Sequence, residues 1–168
     1  VHEKIYDRFM EKAIKRVEAI VAGDPRATAT MIGAQASQEQ YDKISSYLDI
    51  GRKEGAKVLT GGSVNKFGGD LDKGFYIQPT IFNDVAPDAR IAREEIFGPV
   101  LAITPFDSDE EALRVANDSE YGLAASVWTK DLSRALSVSD RLQAGTVSVN
   151  TVDALSAMTP FGGMKQSG

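Results

Sequence analysis

Ala124-Ala125-Ser126-Val127-Trp128, followed by an amphipathic stretch over 131–143 and then by Thr146-Val147-Ser148-Val149-Asn150, decides the reading of this chain. Two short apolar runs flank a segment with helical spacing, and a strand that reaches its neighbour through a helix must lie parallel to it. Toward the amino terminus the same unit recurs. Val100-Leu101-Ala102-Ile103 is a third apolar run, and Ser108-Asp109-Glu110-Glu111 opens the helix that follows it. The resulting β-α-β-α-β order predicts an α/β fold with a mostly parallel sheet and flanking helices.

The first hundred residues add two helices and a strand. Ile5, Phe9, Ala13, Ile14, Val17, Ile20 and Val21 recur at three- and four-residue spacing, which places them on one helical stripe, and Gly23-Asp24-Pro25 ends it. Ser37-Gln38-Glu39-Gln40 has the form of a capping box, in which the Ser hydroxyl takes a backbone N–H and Gln40 reaches back. The helix it opens is expected to run to about Glu54 with Tyr41, Ile44 and Leu48 inward. Lys57-Val58-Leu59 reads as a short strand, and 61–74 as a glycine-rich loop without phosphate-loop spacing. No internal repeat or low-complexity segment interrupts the chain, so a single domain over 1–168 is expected.

Composition bounds the function. The 168 residues are 42% hydrophobic and 26% charged, as in ordinary globular proteins, and no apolar run is long enough to span a bilayer. A net charge of -5, with Lys and Arg interleaved among Asp and Glu, argues against nucleic acid as a partner. With no cysteine and one histidine, His2, the chain offers neither a disulfide framework nor a cysteine-ligated metal site. No leader or membrane anchor is read before Val1, so the cytoplasm is the expected compartment. Val1 stands where an initiator methionine would, as if the sequence had been cut from something longer.

The most specific motif is Glu94-Glu95-Ile96-Phe97-Gly98-Pro99-Val100. Pro99 fixes its own φ and restricts Gly98, which limits how far Glu95 and Phe97 can wander at the entrance to a buried strand. An ionised carboxylate can accept from both hydroxyls of a ribose, and a neighbouring aromatic can bound a flat heterocycle. By residue chemistry alone the same features also describe a solvated Glu pair and a core Phe. Gln40 and Lys43, three apart, share a helix face; they are either a solubilising pair or donors toward an anionic ligand. After Asn150, the loop 151–161 leaves the carboxyl end of a strand, where open parallel sheets place their sites.

The motif just quoted, together with Thr159-Pro160-Phe161-Gly162-Gly163-Met164-Lys165-Gln166-Ser167-Gly168, resembles the signature of the NAD(P)-dependent aldehyde dehydrogenase superfamily. Ile5-Tyr6-Asp7, Gly74-Phe75-Tyr76-Ile77-Gln78-Pro79-Thr80, 117–123 and Ala144-Gly145-Thr146 extend the resemblance over essentially the whole chain. It implies the Rossmann-like catalytic domain of those enzymes, and specifically its carboxy-terminal part. Glu95 would bind the nicotinamide ribose hydroxyls, Phe97 would contact the nicotinamide, and Gln40 and Lys43 would reach toward the ribose or pyrophosphate. Val152, Asp153, Leu155 and Phe161 would line one wall of the aldehyde tunnel.

The resemblance also implies what these 168 residues lack. In the complete enzyme, a homo-oligomer acting on a small-molecule aldehyde, a cysteine thiolate attacks the carbonyl and hydride passes to NAD or NADP. A glutamate-activated water then hydrolyses the thioester to the carboxylic acid. Without a cysteine, this chain by itself is expected to be inactive. The rival expectation is a stand-alone, non-catalytic module that uses the same fold for interaction or oligomerisation.

Overall fold

The computed structural model describes residues 1–152 and 156–168, and its contacts divide the chain into two compact units, Val1–Pro105 and Phe106–Gly168. No composition shift marks the division. None of the helices among the described residues is long and apolar enough to cross a membrane.

The first unit is built on a three-stranded sheet in the order β1 (Lys57–Thr60), β2 (Thr80–Asn83), β3 (Val100–Ala102). β1 runs antiparallel to β2, with a register slip between Val58 and Thr60, and β3 runs parallel to β2. The central strand is buried on both faces, and its pleat divides the core in two. Phe82 points into a cluster with Ile44, Tyr47, Leu48, Ile91 and Ile96, supplied by α2 (Gln38–Lys53), α3 (Arg90–Arg93) and the turn after α3. Ile81 points the other way, to Ile103 and to Met10 of α1 (Tyr6–Glu18). Thr80, the one buried polar residue among the described residues, accepts from Gly62 N at 2.8 Å and donates to the Gln78 carbonyl at 2.8 Å.

The second unit contains the expected helix-connected strand pair. β5 (Ala124–Val127) and β6 (Thr146–Val149) are parallel and in register from Ala124 opposite Thr146 to Val127 opposite Val149, with α5 (Leu132–Arg141) as the crossover. α4 (Asp109–Asn117) is tied to α5 by Arg134–Asp109 at 2.8 Å and by the Arg141–Glu110 pair. A two-residue antiparallel pair joins β4 (Tyr121–Gly122) to β7 (Met164–Lys165).

The α/β architecture agrees with the sequence expectation, while its sheets are mixed. β2–β3 and β5–β6 are parallel, and β1–β2 and β4–β7 are antiparallel. β3 pairs with β2, a strand with no alternating pattern to betray it. The amino-terminal stripe is helical, but α1 stops at Glu18, before Ile20 and Val21, and Ile5 and Phe9 remain exposed while Met10 takes the buried position.

Candidate functional site: a braced turn in the first unit

The motif that enters β3 forms a tight turn packed on the amino-terminal half of α2. The Ser37 hydroxyl caps that helix by accepting from Gln40 N at 3.2 Å. Only half of the expected capping box forms, because the Gln40 side chain turns away from the cap. Its amide donates to the Phe97 carbonyl at 2.7 Å, 57 residues along the chain. One turn further on, Ile44 is fully buried against Gly98, where a Cβ would lie 2.7 Å from the Ile44 Cδ1. A side chain at position 98 would have to displace Ile44, so the turn's backbone rests directly on the Ile44 side chain.

Phe97 adopts φ 58°, a left-handed conformation that an aromatic residue rarely takes. The residue is 65% exposed. Ile96, one residue earlier, is buried in the cluster beneath. The turn therefore anchors one apolar side chain and turns the next toward solvent. Lys43 stands beside both rings of this surface, its Nζ 5.8 Å from the Phe97 ring centre and 6.0 Å from that of Tyr47, within cation–π range.

The two acidic residues of the motif have opposite fates. Glu94 is held by the guanidinium of Arg90, four residues earlier, with Nε 2.8 Å from Oε1 and the second nitrogen 2.9 Å from Oε2. The Tyr47 hydroxyl also donates to Oε2, and Arg90 lies 5.5 Å over the Tyr47 ring. These donors, Arg90 first and Tyr47 second, hold the Glu94 carboxyl at a pKa of about 2. In turn, Glu94 raises the pKa of Tyr47. Arg90 is itself fixed from its backbone, where its N–H donates to Glu54 Oε2 at 2.9 Å. Glu95 is exposed, and no hydrogen-bond or ion-pair partner holds it among the described residues.

Gln40, Lys43, Glu95 and Phe97 thus all lie in the first unit, on α2 and on the turn packed against it. The sequence does not single out Tyr47, Arg90 or Glu94. The i,i+4 spacing of Arg90 and Glu94 is the one local sign of their pairing. An acceptor-only carboxylate, an exposed ring and an ammonium group on one surface suit a sugar diol, a flat heterocycle and an anionic linker. They include no nucleophile.

The tunnel candidates fall in the second unit. Asn150 closes β6 at φ 55° and clasps the Thr129 backbone, accepting from its N–H and donating to its carbonyl, both at 2.9 Å. This fixes where the loop departs. Val152 and Phe161 are both exposed, and Asp153 and Leu155 lie outside the described residues.

A family model described as the Aldehyde dehydrogenase family matches residues 1–168. Acetaldehyde dehydrogenase 2 of Cupriavidus necator is 55% identical over all 168 residues, which cover 33% of that protein. An aldehyde dehydrogenase of Deinococcus radiodurans is 56% identical, with 32% of its length covered. Among solved structures, a point-mutant betaine aldehyde dehydrogenase of Staphylococcus aureus in complex with NAD+ superposes with a TM-score of 0.96 at 39% identity, covering all of this chain and 34% of that one. The indole-3-acetaldehyde dehydrogenase of P. syringae, also in complex with NAD+, does so with a TM-score of 0.95 at 43% identity, over 100% and 33% of the two chains. The chain spans about a third of the length of the curated relatives it matches.

Proposed function

The chain belongs to the aldehyde dehydrogenase family, and we propose that it supplies the nicotinamide-ribose clamp of an enzyme that oxidises a small aldehyde to a carboxylic acid with NAD or NADP. One observation carries this reading. Glu95 is an exposed carboxylate without a partner among the described residues, two residues from an aromatic residue that the same turn leaves exposed. Glu95 accepts from the ribose hydroxyls, Phe97 bounds the nicotinamide, and Lys43 adds positive charge toward the pyrophosphate. Bound there, the dinucleotide supplies the hydride acceptor.

The second unit contributes one wall of the aldehyde channel through Val152 and Phe161, carried on the loop that Asn150 launches. Because no cysteine is present in the 168 residues, the thiolate that attacks the aldehyde comes from elsewhere, and this chain alone does not turn over. Mixed with aldehyde and NAD+ or NADP+, it should produce no reduced cofactor; measurable reduction would refute this part of the reading.

Calorimetric titration of NAD+ into the purified chain and into Glu95→Gln tests the clamp. A hydrogen bond to a charged group contributes ~1.5–3 kcal/mol, so the variant should bind roughly 10- to 100-fold more weakly. Equal binding by both forms would remove Glu95 from the site.

A further inference from the structure

We propose that Lys165 is a positioning residue: by closing the carboxyl end of α4, its ammonium group fixes where the loop carrying Phe161 returns to the second unit. In this way it sets one wall of the aldehyde channel without touching the aldehyde. The inference rests on the channel-wall reading above and adds to it what holds that wall in place. Asn150 fixes where the loop leaves β6, through its clasp on Thr129. A second anchor is needed at the other end, because a loop tethered once leaves an exposed residue such as Phe161 free to wander.

Lys165 supplies that anchor. Its Nζ donates to the carbonyls of Asn117 at 2.7 Å and Ser119 at 2.8 Å, 48 and 46 residues back along the chain. Asn117 is the last residue of α4, and the final carbonyls of a helix have no partner within it and form its negative dipole end. An ammonium group answers both needs, having three donors and a positive charge. The side chain of the same Asn117 ties α4 to the end of α5, donating to the Arg141 carbonyl at 3.0 Å and accepting from Gln143 N at 2.9 Å. Lys165 is therefore fastened to a point that two helices already hold.

The path from Lys165 back to Phe161 is short and stiff. Lys165 adopts φ 54°, a left-handed conformation that persists in a residue with a Cβ only when its surroundings hold it. Met164 and Lys165 pair with Gly122 and Tyr121, and the Ser167 hydroxyl accepts from Gly122 N at 3.2 Å. Two paired residues make a marginal ladder by themselves, so the side-chain clasp is the firmer support. A Cβ on Gly163 would overlap the Ser167 carbonyl, and one on Gly145 would overlap the Gly162 carbonyl. Gly162 thus rests on the turn before β6, and Phe161 is its immediate neighbour.

The test compares Lys165→Met, which keeps an aliphatic stem and removes the charge and the donors, with Lys165→Arg, which keeps both. In amide NMR of the labelled 168-residue chain, Lys165→Met should move the Phe161, Gly162 and Gly163 signals toward averaged values. Those of Val127 and Val149, in β5 and β6, should stay in place, and Lys165→Arg should resemble the wild type. Unchanged Phe161 and Gly162 signals in Lys165→Met, or equal loosening in Lys165→Arg, would overturn the inference.

Steady-state kinetics of the complete enzyme that carries these residues separates the positioning role from the wall reading. Lys165→Met should lower kcat/KM for a short aliphatic aldehyde roughly ten- to a hundredfold, mostly through KM, with the KM for NAD+ unchanged. If the loop loosens by NMR while the aldehyde KM does not move, the positioning role stands and the wall reading fails. Equal losses for aldehyde and NAD+ would show general damage to the fold and overturn the inference. A loss far larger for an aldehyde bearing a carboxylate than for a neutral one would place the ammonium group on the substrate itself, and the inference would be wrong.

Discussion

Phe97 is the residue on which the candidate site depends, because a left-handed backbone at an aromatic position costs ~1–3 kcal/mol and is kept by its neighbours. Glu94 is one of those neighbours, and its titration gives a measurable consequence. Arg90 and Tyr47 lower its pKa from the ordinary 4.5 to about 2 in the folded chain. A folded-state pKa below the unfolded one means that the contribution to stability is complete above about pH 4.5 and disappears as the pH falls toward 2. Glu94→Gln should therefore melt at a lower temperature than the wild type at pH 6, with the gap closing between pH 4.5 and 2. A gap that is constant with pH would show that the carboxylate's charge is not what matters. The placement of Glu95 and Phe97 together at the entrance to β3 was legible from a contiguous motif. The Gln40–Phe97 bond was not, because it joins positions 57 residues apart and its donor also fits a local capping pattern.

At the scale of elements, the helix starts are set by local chemistry and were accordingly readable. Ser37 and Ser108 each accept from the N–H three residues on, and Asp131 does the same for α5. Ser108→Ala should cost ~1 kcal/mol of stability by chemical denaturation, since it leaves a first-turn N–H without its cap. The contact between α2 and the turn is a harder constraint. Gly98→Ala should destabilise by ~1–3 kcal/mol, because its methyl group would meet the buried Ile44 side chain and must displace it. If the alanine variant melts like the wild type, the close approach is absent in solution. Strand β2 escaped the sequence for a physical reason: a central strand covered on both faces shows no alternation, and Thr80 hides its hydroxyl in two internal hydrogen bonds. Without β2 in view, β3 could only be assigned to the helix-connected pattern that follows it.

For the whole molecule, burial is incomplete in a way that suggests association. Trp128, the only tryptophan, is 66% exposed, and Leu132 and Leu136, one helical turn apart on α5, are 74% and 63% exposed. Large exposed apolar groups so close together mark surfaces that become covered. We expect the purified chain to self-associate, with tryptophan emission shifting to shorter wavelength as concentration rises; a monodisperse monomer with concentration-independent emission would contradict this. The division at residue 105 left no trace in composition because both units draw on the same mixture of short strands and amphipathic helices. The placement of α1 also imposes an order on biosynthesis. Its core partners Ile81 and Ile103 lie 60 or more residues beyond its last turn, so at ~5–20 residues per second the helix leaves the ribosome on the order of ten seconds before the sheet that receives it. During that interval its apolar stripe is a natural ligand for a chaperone.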